Sequence, residues 1–245
     1  MNLDPNTTVR EFAISMPNAT RLFEQLGIDY CCGGARSLRD ACTQIGMNPE
    51  DVLQRLQENQ LSPAKSGTTA PEMDAGLAAL VEYIVAKHHG YLKQEIPRIQ
   101  QLLKKVVAVH GKGHSELLEI QQVFSKMSEE MAAHMMKEER ILFPYVVELE
   151  AAVKRGLTPR KPMFGTVSNP VHMMELEHDS AGAALKAIRT ASQSYSAPED
   201  ACFSYKTLYS ALQEFEADMH QHVHLENNVL FPGAINLEQL TNKAS

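Results

Sequence analysis

His134-Met-Met-Lys-Glu138-Glu-Arg-Ile141-Leu142-Phe143-Pro144 and His222-Val-His-Leu-Glu226-Asn-Asn-Val229-Leu230-Phe231-Pro232 are two copies of one pattern. Counting from the histidine, Glu falls at +4, Ile or Val at +7, and Leu-Phe-Pro at +8 to +10 in both. Each copy also has a histidine upstream at nearly the same distance: His89 precedes His134 by 45 residues, and His178 precedes His222 by 44. Positions i and i+4 of a helix lie one turn apart on one face. The chain therefore reads as a duplicated helical hairpin. The fold expected is all-α, an antiparallel four-helix bundle with four histidines and two glutamates directed into its core.

That set of residues carries a chemistry. Two carboxylates among Met, Leu and Phe would cost several kcal/mol each without a cation. His89, His134, Glu138, His178, His222 and Glu226 are thus candidate ligands for two metal ions. Each ion would take about two imidazoles and a share of two bridging carboxylates. Nitrogen and oxygen donors without a thiolate suit iron or manganese better than structural zinc. They leave room for an oxo or hydroxo bridge and an exogenous ligand. A lone histidine on an apolar helix face is usually an ordinary core residue, but a repeat matched at six positions is not explained that way.

The neighbouring residues read differently. His88 lies off the Val85–Leu92–Ile96 seam, which favours His89 as the ligand. His220 and His224 stand two positions from His222 and are expected at the surface, while His110, His114 and His172 fall near helix ends and are expected to be solvated. Glu130 and Asp218 each lie four residues before a ligand histidine and could orient the imidazoles. Glu177 adjoins His178 and could line an access route.

The remaining sequence excludes several classes. Of 245 residues, 44% are hydrophobic and 22% charged, the balance of a globular chain, and tryptophan is absent. A formal net charge of −7 with no Lys/Arg cluster argues against nucleic acid. No apolar run is long enough to span a bilayer. The first residues show neither a basic nor an apolar leader segment, so the cytoplasm is the expected location, with the four cysteines as thiols.

Taken in order, residues 1–60 are expected to form a small helical unit. Pro17 to Leu26 should be a helix stopped by Gly27, Ser37 should cap a helix from Leu38 to Ile45, and Asn48-Pro49 should open a third. Residues 61–73, rich in Pro, Ser, Thr and Gly, read as a linker. The bundle is expected over 74–233. Its helices should run from about Asp74 to Val109, Ser115 to Lys154 with a bend at Pro144, Val171 to Thr190, and Pro198 to Leu230. Pro97 should kink the first, and Pro232 and Gly233 should end the last, leaving 234–245 as a tail. His89 and His134 lie at matching depths on either side of their turn. His178 and His222 match less well, roughly 12 residues against 24.

Leu26-Gly27-Ile28-Asp29-Tyr30-Cys31-Cys32-Gly33-Gly34, His89, His134-x-x-x-Glu138-Glu139, Glu177-His178-Asp179 and His222-x-x-x-Glu226-Asn227-Asn228 together resemble a known family. This is the hemerythrin-like di-iron proteins that repair iron–sulfur clusters after nitrosative or oxidative damage (RIC, YtfE/ScdA type). The resemblance covers nearly the whole chain. It implies two non-heme irons, with His89, His134, His178 and His222 as terminal ligands and Glu138 and Glu226 as bridges. It also implies damaged iron–sulfur proteins as partners and nitric oxide or oxygen as small ligand. Read from the residues alone, Cys31-Cys32 is either two partly buried thiols in a turn or an exposed pair made mobile by Gly33-Gly34. The resemblance implies the second, a relay for iron or a nitrosyl group. Cys42 and Cys202 read as packing residues. A hemerythrin-type oxygen or nitric oxide carrier or sensor, and a nitric oxide reductase, are the alternatives. A docked small unit leaves a homodimer open.

Overall fold

The computed structural model describes residues 3–16, 18–60 and 76–243; the expected linker lies outside them. Four short helices come first: α1 (Val9–Ser15), α2 (Ala19–Leu26), α3 (Leu38–Gln44) and α4 (Pro49–Gln60). Helix α1 was not among the expected elements, although its signal is present. Thr8 and Glu11 form a reciprocal capping box, each satisfying the other's backbone N–H. The other three begin and end close to the expected residues. Gly27 closes α2 in the left-handed region, and Ser37 caps α3 by accepting from the Asp40 N–H. Val9, Phe12, Phe23, Tyr30, Leu38, Val52 and Leu56 give this unit its own core.

The bundle is built from four long helical runs. Helix α5 (Leu77–Ile84) passes through a π segment (Val85–His89) into α6 (Gly90–His110). Helix α7 (Glu116–Lys137) continues through a π segment (Glu138–Leu142) into α8 (Phe143–Lys154). Helix α9 (Ser168–Ala191) is uninterrupted, and α10 (Phe203–Leu225) passes through a third π segment (Glu226–Leu230) into α11 (Phe231–Lys243). Helix α6 contains Pro97 and continues past it to His110.

Two expectations fail here. Pro232 and Gly233 do not end the last helix, which runs on to Lys243. The reason is the π turn. Proline has no N–H and its ring crowds the preceding turn, so an ordinary α-helix kinks or breaks. Here the turn before it is widened instead, with Phe231 N–H bonded to the Glu226 carbonyl five residues back. The first copy does the same, Phe143 N–H to the Glu138 carbonyl. The other failure is the start of α10, at Phe203 rather than Pro198. Part of the depth mismatch between His178 and His222 disappears with it.

The bundle core falls in two parts. One, with Leu92, Phe124, Leu185, Leu212 and Phe215, fills the length of α6, α7, α9 and α10. The other, with Leu80, Ile84, Leu142, Phe143, Val146 and Phe231, lies beyond the π segments. All six candidate ligands stand between them. The start of α5 is tied down from α8, where the Glu150 carboxylate accepts from the Leu77 N–H at 2.8 Å and the Ala78 N–H at 3.2 Å. Gly76, with φ +90°, makes room for this contact, because a Cβ there would strike the Glu150 carboxylate.

Candidate metal centre

The structure brings the six candidate ligands together. Donor atoms of His89, Glu138, His222 and Glu226 lie within 4.8 Å of one another, and so do those of His134, Glu138, His178 and Glu226. Glu138 and Glu226 belong to both groups. Every one of the six side chains is buried.

The π segments explain how one sequence motif makes this geometry. Each begins at a glutamate of the repeat or ends at His89. Widening a turn by one residue re-aims the side chains that follow, and such turns recur at functional sites. The Leu-Phe-Pro tail has a part too. Phe143 stacks on the His89 ring, with centroids 5.6 Å apart, and Phe231 on the His178 ring at 6.0 Å. Each repeat therefore supplies ligands from one end and a wall for a neighbouring helix's imidazole from the other.

Three imidazoles are held by their outer nitrogens. His89 Nδ1 meets Glu139 at 2.8 Å, His134 Nδ1 meets Glu177 at 2.8 Å, and His178 Nδ1 meets Asn227 Oδ1 at 2.7 Å. An acceptor on Nδ1 keeps the proton there and points the Nε2 lone pair inward, the tautomer a metal ligand needs. Lys93 and Lys137 hold Glu139 and Glu177 from outside. His222 is different. Its Nδ1 has no hydrogen bond, and the His88 ring lies parallel to its own at 5.7 Å.

At the centre, imidazole nitrogens and carboxylates crowd together. His89 Nε2 faces His222 Nε2 at 3.2 Å, and His178 Nε2 faces His134 Nε2 at 3.0 Å. Glu226 lies 2.9 Å from His222 Nε2 and 3.2 Å from His178 Nε2. Glu138 lies 3.2 Å from His134 Nε2, yet neither of its oxygens has a hydrogen bond. Burial pushes the His89 and His134 imidazoles down, but the two carboxylates outweigh it and raise them to about 10 and about 9. Imidazole nitrogens this close with no proton or cation between them, and a carboxylate without donors, are costly in a dry core. A divalent cation in each group answers both defects, so the residues fit a two-metal centre.

Several neighbours depart from the sequence reading. Glu130 is exposed and pairs with Lys126, and the place expected for Glu130 behind His134 is taken by Glu177. Asp218 bonds His88 Nδ1 at 3.0 Å rather than His222. His88, off the seam, is nonetheless buried, and His224 is buried rather than at the surface, packed edge-on against Tyr30. Glu139 and Asn227 stand in the motifs quoted from the sequence, but sequence reasoning gave them no role. Their signal was adjacency, since each follows a glutamate of the repeat, and it acquires meaning only when the π turn swings that next residue towards a neighbouring helix.

Cys31 and Cys32 lie against the bundle. Asn228, two residues after Glu226, donates to the Tyr30 carbonyl at 3.0 Å and the Cys31 carbonyl at 3.3 Å. Cys32 Sγ sits beside Gly182, one helical turn or about 6 Å along α9 from His178. The pair is not an exposed one. Cys31 is buried and Cys32 half-buried, with the sulfurs 4.0 Å apart. The hydrogen bond to Cys32 and burial push the Cys31 thiol well up. Nor do the glycines confer mobility. A Cβ on Gly34 would stand 2.7 Å from the Tyr30 carbonyl oxygen, so glycine is there for close approach. Both cysteines line a cleft of about 1160 Å³ bounded by the small unit, α9 and α10. Cys42 is buried as expected, whereas Cys202 is exposed.

Residues 80–234 match the hemerythrin HHE cation-binding domain, and residues 5–60 match ScdA_N, a domain of unknown function. A Haemophilus influenzae relative named "probable iron-sulfur cluster repair protein" is 34% identical over 92% of this chain and 95% of its own length. The chain belongs to the iron–sulfur cluster repair family. Members named iron-sulfur cluster repair protein YtfE, from Yersinia pseudotuberculosis and Yersinia pestis, are each 32% identical over 94% of this chain and 97% of theirs. The two matched domains coincide with the helical unit and the bundle. Among the described residues no helix is long and apolar enough to cross a membrane.

Proposed function

We propose that this chain is a di-iron protein that restores damaged iron–sulfur clusters. His89, His134, His178 and His222 are its terminal iron ligands, and Glu138 and Glu226 bridge the two ions. The observation that carries this reading is the pair of four-residue ligand groups sharing those two glutamates within 4.8 Å. An all-nitrogen and oxygen donor set favours iron over structural zinc.

Iron so held supplies one-electron redox chemistry and an open position for nitric oxide or oxygen. The chain's own residues do the rest. Glu139, Glu177 and Asn227 fix the imidazoles, and Phe143 and Phe231 keep water from the far side. Cys32 is the residue positioned to receive or pass on iron or a nitrosyl group, since its sulfur faces the cleft one turn from His178. Cys31, holding its proton, donates S–H towards it. Iron–sulfur proteins as clients follow from the names of the relatives, and the cytoplasm is the compartment in which such thiols stay reduced.

Repair of a nitrosylated cluster in a reconstituted client protein tests both halves. Glu226→Ala should lose iron and repair together. Cys32→Ser should keep its iron and lose repair. Repair by iron-free protein would overturn the di-iron reading, and full repair by Cys31→Ala/Cys32→Ala would overturn the relay.

A further inference from the structure

A second group of metal-type ligands stands at the opposite end of the bundle. His110 ends α6, 21 residues or roughly 30 Å along the helical run from His89. A tight turn follows, in which the N–H groups of Gly113 and His114 both return to the His110 carbonyl, at 3.0 Å each. That turn sets His114 beside His110. Asp200 and Cys202 arrive from the segment leading into α10, folded by the Ala201 N–H bonded to the Pro198 carbonyl at 3.0 Å. Donor atoms of His110, His114 and Asp200 lie within 4.8 Å of one another. Cys202 lies outside that group of three, but its exposed Sγ is 3.2 Å from His110 Nε2.

The surroundings are organised as around a metal. The His114 Nδ1 meets Glu116 at 3.1 Å, and Glu116 in turn accepts from the Tyr205 hydroxyl at 3.0 Å. This carboxylate behind the imidazole aims Nε2 at Asp200, 3.1 Å away. Tyr205 is fully buried and sets both rings, with His110 and His114 edge-on to it at 5.4 and 5.5 Å. A neutral imidazole donates only one hydrogen bond. His114, with a carboxylate on each nitrogen, therefore requires positive charge, from a proton or from a metal ion. A proton would satisfy His114 alone and gives no reason for His110 to share that point with His114 and Asp200, or for a thiol to stand against His110.

We infer that His110, His114, Asp200 and Cys202 form a second divalent-cation site, selective for zinc-class ions. Two imidazoles, one carboxylate and one thiol are a four-coordinate zinc donor set. The presence of sulfur separates it from the bundle centre, which has none. The ion clips together the α6–α7 turn and the start of α10, two segments joined there by polar contacts at the surface.

The test uses the iron-loaded full chain, equilibrated with Zn²⁺ and then freed of loosely held metal. One zinc per chain is expected in addition to undiminished iron, and His110→Ala and His114→Ala should lose the zinc while keeping the iron. Retained iron shows that each variant is folded. With Co²⁺ as probe, intense tetrahedral visible bands and a thiolate charge-transfer band are expected, the latter lost in Cys202→Ser. Zinc uptake equal in wild type and both histidine variants, uptake only in exchange for iron, or a weak octahedral cobalt spectrum would overturn the site and leave an ordinary His114–Asp200 ion pair.

Discussion

Asn228→Ala should release the cysteine segment from the bundle. Asn228 is buried and its amide donates to two backbone carbonyls, those of Tyr30 and Cys31, at 3.0 and 3.3 Å. A typical intramolecular hydrogen bond contributes about 0.5–1.5 kcal/mol net, so the pair contributes about 1–3 kcal/mol to docking. With a factor of ten for each 1.4 kcal/mol, the undocked population should rise roughly 5- to 150-fold. Cys31 reports it directly, because the residue is only 7% exposed and is labelled when the segment opens. The assay is thiol labelling in a Cys32→Ser/Cys202→Ser background, which leaves Cys31 and Cys42. Cys42 lies in the small unit's own core and reports unfolding of that unit. The expected result is faster Cys31 labelling with Cys42 unchanged. Asn228→Asp, which keeps the shape but has no N–H to donate, should act at least as strongly. Labelling of Cys31 within twofold of the parent would refute the anchoring role. Equal acceleration at Cys42 would show unfolding instead of undocking.

Glu139→Gln should weaken metal binding roughly 10- to 100-fold by loosening its hold on the His89 ring; Glu130→Gln, at an exposed site, should leave metal titrations unchanged. Glu150→Gln should cost about 2 kcal/mol at neutral pH, or ~4–8 °C in melting temperature for a chain of this size. Burial pushes the Glu150 carboxyl up, but hydrogen bonds from Leu77 and Ala78 outweigh it and hold it below its ordinary value. Its contribution is therefore full above the unfolded carboxylate pKa and lost as pH falls through the lower folded value; a gap between wild type and variant that widens towards acid would contradict this. Phe215→Ala removes a ring packed edge-on against Phe124 at 5.3 Å and should cost about 3–5 kcal/mol by chemical denaturation.

The helical fold and the six clustered side chains were legible because a bundle core imposes a spacing that survives in the sequence. His89 was separable from His88 by the seam alone. What surrounds the cluster was not legible. Regular 3.6-residue counting placed Glu130 and Asp218 behind the ligand histidines, but the partners found are Glu177, Glu139 and Asn227. Two of these sit in π turns, where regular counting fails. The same turns carried the last helix past Pro232, since proline ends a helix only where the turn before it cannot widen. Burial of Cys31 depended on Asn228, a contact across 197 residues that no local pattern reveals.

The most direct test of the central claim is iron content and optical spectrum of anaerobically purified protein, beside Glu138→Ala and Glu226→Ala. Two irons per chain are predicted, with oxo-bridge charge-transfer bands after oxidation, and loss of the pair in either variant. A single ion at the bundle centre, or iron content unchanged when Glu138 or Glu226 is removed, would contradict it.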